Sequence, residues 1–454
     1  MRRVLLVEPG FRNKYPPLGL MKISAYHKRR GDYVRFVKGL DSEAASGRWD
    51  RIYVSTLFTF HWSVTLKTIY YYLDLVRDPS DLWVGGVMAT LMAGEIRDLT
   101  GATVIEGLLN QPGSLDRDSR VIVDGLTPDY SMLEMIEHEY GLQDAYLGYA
   151  TRGCPNKCGF CAVRTIEPDF VDYLPLKRQI RSLEMLYGER PNLVLMDNNI
   201  LASDSFERII DDLVELGFEK GSRLGRRLRH VDFNQGTDAR LLTEDKMKQL
   251  ARVAVKPLRL AFDDSALTPI YERGVRLAAK YEVNQLSNYV LYNYKDTPED
   301  FYERLRLNLL LNQELGTHIY SFPMKYMPLD AKDRSHVGKH WNRRLLRGVQ
   351  CILLATRGKV GTHLDFFEAA FGVDAAEFRQ IALMPDDYII HRRLHEDDSA
   401  ADWLRDYQKL TKSERTEFLA VVSKNRVSEA EALSASTARL KRLLAHYVRR
   451  PVAH

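Results

Sequence analysis

Residues 150–161 read ATRGCPNKCGFC and hold three of the four cysteines of the chain: Cys154, Cys158 and Cys161. Their spacing is C-x3-C-x2-C, in a segment rich in Gly, Pro and Asn that follows an apolar run. Soft thiolates are the ligands of zinc ions and iron–sulfur clusters. No Cys or His lies between Cys161 and His230, so three thiolates leave one metal coordination position open. We interpret the segment as a metal or redox loop at the end of a strand.

The residues around this loop predict a barrel-like domain over residues 141–330. Six apolar runs are candidate strands, and helical segments separate most of them: residues 146–150, 193–196, 230–233, 258–262, 288–292 and 319–323. Six β/α units are fewer than the eight of a closed TIM barrel. We therefore expect an open, partial (β/α)6 barrel.

The flanking segments predict two further regions, and the fold class is α/β. Residues 1–140 alternate short strands that are apolar throughout with helices. This pattern is typical of a parallel sheet covered on both faces, here a doubly wound domain of the Rossmann or flavodoxin-like type. Residues 331–454 show only short amphipathic helices, so we expect a helical C-terminal region.

Composition limits the class of protein. The chain has 454 residues with 65 Lys and Arg against 61 Asp and Glu, a net charge of +4 that permits an anionic partner without demanding one. No apolar stretch approaches the ~18 residues that span a bilayer, so we expect no membrane contact. The first residues read as a strand rather than a signal peptide. With so few cysteines, we expect a cytoplasmic protein in a reducing compartment.

A structural zinc site is the alternative interpretation of the three cysteines. Such a site needs a fourth ligand, here a distant His. The protein would then be a non-catalytic, zinc-stabilised α/β scaffold or binding module. Cys351 lies apart from the cluster in an apolar helical stretch, and we interpret it as a buried packing cysteine.

The cysteine spacing, with the aromatic Phe160 before the last cysteine, resembles the radical S-adenosylmethionine (radical SAM) superfamily. The resemblance implies that the three cysteines hold an oxygen-sensitive 4Fe–4S cluster, whose open iron binds S-adenosylmethionine. One electron from the cluster then yields methionine and a 5′-deoxyadenosyl radical, which abstracts hydrogen from a substrate. It also implies a one-electron donor such as flavodoxin or ferredoxin.

The resemblance assigns further residues at strand ends to S-adenosylmethionine. Many members carry Gly-Gly-Glu after the second barrel strand, where this chain has Asp-Asn-Asn and lacks the glycines. Residues of this segment would hold the methionine ammonium, and residues after the third strand would address the ribose or the carboxylate. Asp263 is the polar candidate after the fourth strand. The alternative is that they are helix caps and turn residues. The candidates are Asp197, Asn198, Asn199, Gln235, Arg240 and Asp263.

Residues 1–140 resemble the cobalamin-binding domain that precedes the radical barrel in one subgroup of the family. The resemblance rests on Ser55 after one strand and on Gly85 and Gly86 after another, since small residues there make room for the nucleotide tail of cobalamin. The cobalt-ligating Asp-x-His-x-x-Gly motif is missing. Cobalamin, and with it methyl transfer, is therefore left open. The two glycines otherwise predict a tight strand-to-helix turn.

The sequence does not identify the substrate. It contains no recognisable RNA-binding module, and we expect no nucleic-acid partner. A basic run over residues 220–229 leaves contact with RNA or a phosphate-bearing substrate as an alternative, but we interpret this run as a solvated loop.

Overall fold

The computed structural model describes residues 1–354, 356–391 and 399–448. The chain divides into two compact units. The first unit comprises Met1–Arg259 and Met327–His336, and the second comprises Leu260–Tyr326 and Val337–His454. This boundary falls inside the expected barrel, so the three-part division of the sequence stays a prediction.

The second part of the first unit, Met327–His336, is called the return segment below. Its two basic side chains lie over aromatic rings of the same unit. Lys332 Nζ is 4.6 Å from the centre of the Trp62 ring and pairs with Glu95. The Arg334 guanidinium is 4.2 Å from the centre of the Phe60 ring. These contacts attach the return segment to the first unit.

The first unit begins with a five-stranded sheet whose described pairings are all parallel. Its strands are β1 (Arg3–Glu8), β2 (Tyr33–Lys38), β3 (Arg51–Thr56), β4 (Leu82–Gly86) and β5 (Thr103–Val104). The order β2-β1-β3-β4-β5 is that of flavodoxin-like folds, which confirms the expected parallel α/β domain. Its α-helices are Leu18–Arg29, Ser42–Ala45, Trp62–Leu73, Val87–Leu91 and Ala93–Thr100.

A three-stranded parallel sheet follows in the same unit, in the order β10-β7-β6. The strands of this part are β6 (Ala145–Gly148), β7 (Asn192–Leu195), β8 (Arg223–Leu224), β9 (Arg227–Leu228) and β10 (His230–Phe233). β8 and β9 form an antiparallel hairpin, so part of the basic run expected as a loop is a short strand pair. The helices are Val163–Ile166, Leu176–Tyr187, Phe206–Glu215 and Glu244–Leu250.

A second three-stranded sheet has the order β11-β12-β13, with β11 (Leu258–Ala261), β12 (Gln285–Tyr292) and β13 (His318–Lys325). The helices between these strands are Thr268–Lys280 and Pro298–Leu315. All six strands expected for the barrel are therefore present. They form two sheets rather than one, and the described part of the chain contains no closed barrel.

Beside β10 the chain makes one short pairing before it enters the second sheet. Val231 donates its N–H to the carbonyl of Ala254 and accepts from the N–H of Lys256, each at 2.9 Å. Pairing along this edge of β10 is limited to an isolated bridge between Val231 and Val255.

The C-terminal part of the second unit is helical, as expected. Its helices are Arg343–Leu354, Leu364–Phe371, Ala375–Leu383, Asp386–Ile390, Ser399–Gln408, Lys412–Val422, Glu429–Leu433 and Ala438–Ala445. They share one apolar core that includes Cys351, which is 2% exposed, and this confirms its interpretation as a packing cysteine. None of the described helices is both long and apolar enough to cross a membrane.

Candidate functional site

The cysteine loop (residues 150–161) and the Asp-Asn-Asn segment (residues 197–199) meet because of strand register. β6 pairs in parallel with β7, and Gly148 at the end of β6 stands opposite Leu195 at the end of β7. The chain that leaves β6 becomes the cysteine loop, and the chain that leaves β7 becomes the Asp-Asn-Asn segment. Parallel strands thus bring both segments to the same edge of the sheet.

Asp197 holds the start of the cysteine loop. Its carboxylate accepts the N–H of Ala150 at 2.9 Å, the N–H of Thr151, and the Thr151 hydroxyl at 2.7 Å. Asp197 is only 1% exposed. Burial raises the pKa of its carboxyl to about 6, while the hydrogen bonds from Thr151 and Ala150 act in the opposite direction. The side chain expected to hold a methionine ammonium is therefore engaged with the loop.

Asn198 reaches the loop through Glu167. The Glu167 carboxylate accepts the N–H of Gly153 at 2.7 Å, Nδ2 of Asn198 at 2.8 Å and NH1 of Arg152 at 2.8 Å. Gly153 has a φ of +72°, and a Cβ placed there would lie 2.4 Å from the carbonyl oxygen of Asp169. Only glycine fits this position without displacing backbone.

Asn199 contacts a cysteine directly. Its Nδ2 lies 3.7 Å from Sγ of Cys154. The side chain is buried, with 2% of its surface exposed, and its Oδ1 has no hydrogen-bond partner among the described residues. Three consecutive residues after β7 thus attach, directly or through Glu167, to residues 150–154. Because buried polar atoms are nearly always paired, the orphaned Oδ1 is an acceptor that suits a bound ligand or water.

Arg152 restrains the first residues of the cysteine loop. Its guanidinium pairs with Asp124 at 2.6 Å and with Glu167 at 2.8 Å. The guanidinium carbon also lies 3.5 Å from the centre of the Tyr149 ring, a cation–π contact. Arg152 and Glu167 are both buried, so their pairing restricts the backbone that precedes Cys154.

A second carboxylate connects the middle of the loop to Arg240. Asn156 donates to Oδ2 of Asp238 at 2.8 Å, and Asp238 accepts Nε and NH2 of Arg240 at 2.8 and 2.7 Å. The hydrogen bond to Asp238 raises the pKa of Arg240, and the charges of Cys158 and Cys154 raise it further. Arg240 therefore places a positive charge near the thiolates. Gln235 is exposed on the same segment.

Two barrel candidates remain. Phe160 is half-buried within the cysteine loop. Asp263 belongs to the second unit, where burial lowers the pKa of Arg304 and the charge of Asp263 opposes that lowering. Arg304 donates to the carbonyls of Phe262 and Leu291 at 2.9 and 2.8 Å. The role of Asp263 in S-adenosylmethionine binding stays a prediction.

The chemistry of the donor set fits a cluster better than a single ion. Among residues 1–354, 356–391 and 399–448, no group of three or more His, Cys, Asp or Glu side chains is placed to hold one metal ion. None of the four cysteines forms a disulfide. In a 4Fe–4S cluster each thiolate binds a different iron, so the sulfurs need not converge on one point. The zinc alternative has no preformed site in the described residues.

The cobalamin candidates form a closed turn. A Cβ on Gly85 would lie 3.6 Å from the Ile105 side chain, and one on Gly86, at φ +107°, would lie 2.4 Å from the Thr56 carbonyl oxygen. The Thr56 hydroxyl donates to the Gly85 carbonyl at 3.0 Å. Ser55 is half-buried and its hydroxyl lies 3.5 Å from a β1 carbonyl. These residues build a strand-to-helix turn that requires glycine at position 86, and Ile105 lies at ordinary contact distance from the Cβ position of Gly85.

Sequence reasoning missed four residues that support the loop: Asp124, Arg152, Glu167 and Asp238. A signal existed for three of them. Arg152 lies within the cysteine motif itself. Glu167 follows the last cysteine by six positions, and Asp238 lies in the same polar segment as Gln235 and Arg240. Nothing local marks Asp124, because its partners are distant in sequence.

Comparison with family models finds no match to this chain. Comparison with the curated proteins finds none either. One solved structure to which the chain is similar is that of the apo, selenomethionine-labelled cobalamin-dependent S-adenosylmethionine radical enzyme OxsB. The identity is 14% and the TM-score 0.44, and the match covers 68% of this chain and 52% of that one. The chain thus spans about half of that structure.

Proposed function

We propose that the protein is a radical SAM enzyme in which Cys154, Cys158 and Cys161 bind a 4Fe–4S cluster and S-adenosylmethionine binds beside it. The observation that carries the proposal is the C-x3-C-x2-C loop, supported at its start by three consecutive residues after the neighbouring strand. When bound, the cluster supplies one electron that cleaves S-adenosylmethionine to methionine and a 5′-deoxyadenosyl radical.

The residues of the chain orient the cysteines and set the charge around them. Asp197 and Glu167 hold the backbone that leads to Cys154. Arg240, oriented by Asp238, offsets part of the negative charge of the thiolates. Such partners outside the ligand set fix ligand geometry and tune a metal site. We propose that they keep the three thiolates in place for the cluster.

Asn199 is the member of the Asp-Asn-Asn segment best suited to accept an N–H from S-adenosylmethionine. The Asp197 carboxylate is occupied by the loop, and the Asn198 amide donates to Glu167. Oδ1 of Asn199 is buried and has no partner in the described residues. An ammonium group, with three donors and no acceptor, matches such an atom.

The proposal includes no step through cobalamin, because the strand-to-helix turn itself accounts for Gly85 and Gly86. Methyl transfer is therefore not part of it, and hydrogen abstraction from an unidentified substrate is the reaction class. The reductive step needs a one-electron donor, for which we propose a flavodoxin or ferredoxin. We place the enzyme in the cytoplasm on the basis of its cysteine usage.

Anaerobic reconstitution with iron and sulfide tests the proposal. We expect about four irons per chain, a brown colour, and release of 5′-deoxyadenosine from S-adenosylmethionine with dithionite as reductant. Substitution of Cys154 by Ala should abolish all three. The matched control is Cys351→Ala, which removes a buried thiol remote from the motif and should keep the cluster. A colourless wild-type protein that binds only zinc would contradict the proposal.

A further inference from the structure

The backbone around Asn199 is held in a defined conformation. The backbone carbonyl of Asn199 accepts the N–H of Ala202 at 3.1 Å, which closes a short turn. The next two residues, Ile200 and Leu201, are buried in the core. Lys246 Nζ donates to the Leu201 carbonyl at 2.6 Å. The backbone on the C-terminal side of Asn199 is therefore restrained, and burial limits the conformations that its side chain can adopt beside Cys154.

The direction of the hydrogen bond follows from the chemistry of its partner. A thiolate that binds iron can accept a hydrogen bond but has no proton to donate. The amide must therefore present Nδ2–H to Sγ of Cys154, which lies 3.7 Å away. The same orientation directs Oδ1 away from the sulfur and leaves it without a partner in the described residues. Both observations fit one orientation of the amide.

We infer that Asn199 is a positioning residue that raises the reduction potential of the cluster through its N–H to the Cys154 sulfur. The inference rests on the proposed function. Reduction adds one negative charge to the cluster and its sulfur ligands, so a donor to sulfur stabilises the reduced state more than the oxidised state. Burial of Asn199 strengthens this effect, because the surrounding dielectric constant is low.

Asn199 and Arg240 act on the same charge in separable ways. Arg240 is exposed, so salt screens its contribution. Asn199 is neutral and buried, so its contribution is insensitive to salt. The contribution of Asn199 to the reduction potential should therefore persist at high salt, whereas that of Arg240 should decrease.

A redox titration followed by electron paramagnetic resonance, without S-adenosylmethionine, tests the inference. Asn199→Leu removes the donor at similar volume, and Asn199→Asp replaces it by a negative charge. We expect the equilibrium constant for one-electron reduction to fall about tenfold in the Leu variant, a shift of about 59 mV to more negative potential. The Asp variant should shift further. Asn110→Leu is the matched control: it removes an exposed amide outside the cysteine loop and the Asp-Asn-Asn segment, and should keep the wild-type potential.

The outcomes separate the inference from the function on which it rests. A wild-type protein without a reducible cluster overturns both. A wild-type potential in both Asn199 variants at full iron content overturns the inference and leaves the function intact. Loss of iron binding in both variants, with circular dichroism unchanged, shows that Asn199 only shapes the site and also overturns it. The inference is supported if the wild type has the highest reduction potential, the Leu variant a lower one and the Asp variant the lowest. A loss of packing alone would not lower the potential in the order of the side-chain charges.

Discussion

Asp197 accepts a hydrogen bond from the N–H of Ala150 at 2.9 Å, across 47 positions of sequence. The bond joins the ends of two neighbouring parallel strands. It also fixes the point from which the cysteine loop departs. The position of Cys154 therefore depends on a carboxylate that does not itself contact a cysteine.

Replacement of Asp197 by Asn should destabilise the first unit. The amide keeps one acceptor but turns an NH2 group toward donors from Ala150 and Thr151. Loss of charge-assisted hydrogen bonds in a buried site should lower the free energy of unfolding by about 2–4 kcal/mol, measured by urea denaturation. The control is Asp245→Asn, whose side chain is 94% exposed. Equal stabilities of the two variants would contradict the prediction.

Titration of Asp197 should contribute to the pH dependence of the free energy of unfolding. Its carboxyl has a pKa raised to about 6 in the folded protein, against an ordinary value of 3.8. The folded state therefore binds this proton more tightly than the unfolded chain does. The stabilisation that protonated Asp197 contributes to the folded state is fully present below pH 3.8 and is lost as pH rises through 6.

The measurement compares wild type with Asp197→Asn at two pH values. The difference in unfolding free energy, wild type minus variant, should be about 1.4 kcal/mol larger at pH ~5 than at pH ~7.5. Both proteins share their other titrating groups, so these cancel in the difference. A difference that is flat or rises with pH would show that Asp197 does not titrate in this window.

Gly153→Ala should impair both folding and cluster binding. The added Cβ meets the carbonyl oxygen of Asp169 at 2.4 Å in a left-handed backbone conformation. Gly316→Ala is the matched control, since Gly316 is in the left-handed region at φ +65° and ψ +25° and has open space around its Cβ position. We expect the control to lose about 1–2 kcal/mol from backbone strain alone and Gly153→Ala to lose more. Iron content after reconstitution should fall only in the Gly153 variant.

Cobalamin should not be retained by the protein. After incubation with hydroxocobalamin and desalting, we expect no corrin absorption in the visible spectrum, because Ile105 lies against Gly85. Ile105→Ala tests whether this side chain is the obstacle. A corrin spectrum that stays with the wild-type protein would show that the turn opens, and would restore methyl transfer as a reaction class.

The strands could be predicted from the sequence because each of them is a short run of apolar residues. The division of six strands into two sheets was not predicted, because it depends on which strand edges lie side by side and not on any local run of residues. The cysteines were found from spacing alone. The engagement of Asp197 with Ala150 and Thr151 could not be predicted, since it depends on the register of β6 against β7.

The return segment determines whether either unit can be isolated by cutting the chain. Because Met327–His336 rejoins the first unit after the chain has entered the second, no single peptide-bond cleavage releases either unit whole. A fragment that ends at Arg259 lacks Lys332 and Arg334, which cover aromatic rings of the first unit. Gene truncation at that point therefore exposes apolar surface, and limited proteolysis there should give pieces that stay associated until they are denatured.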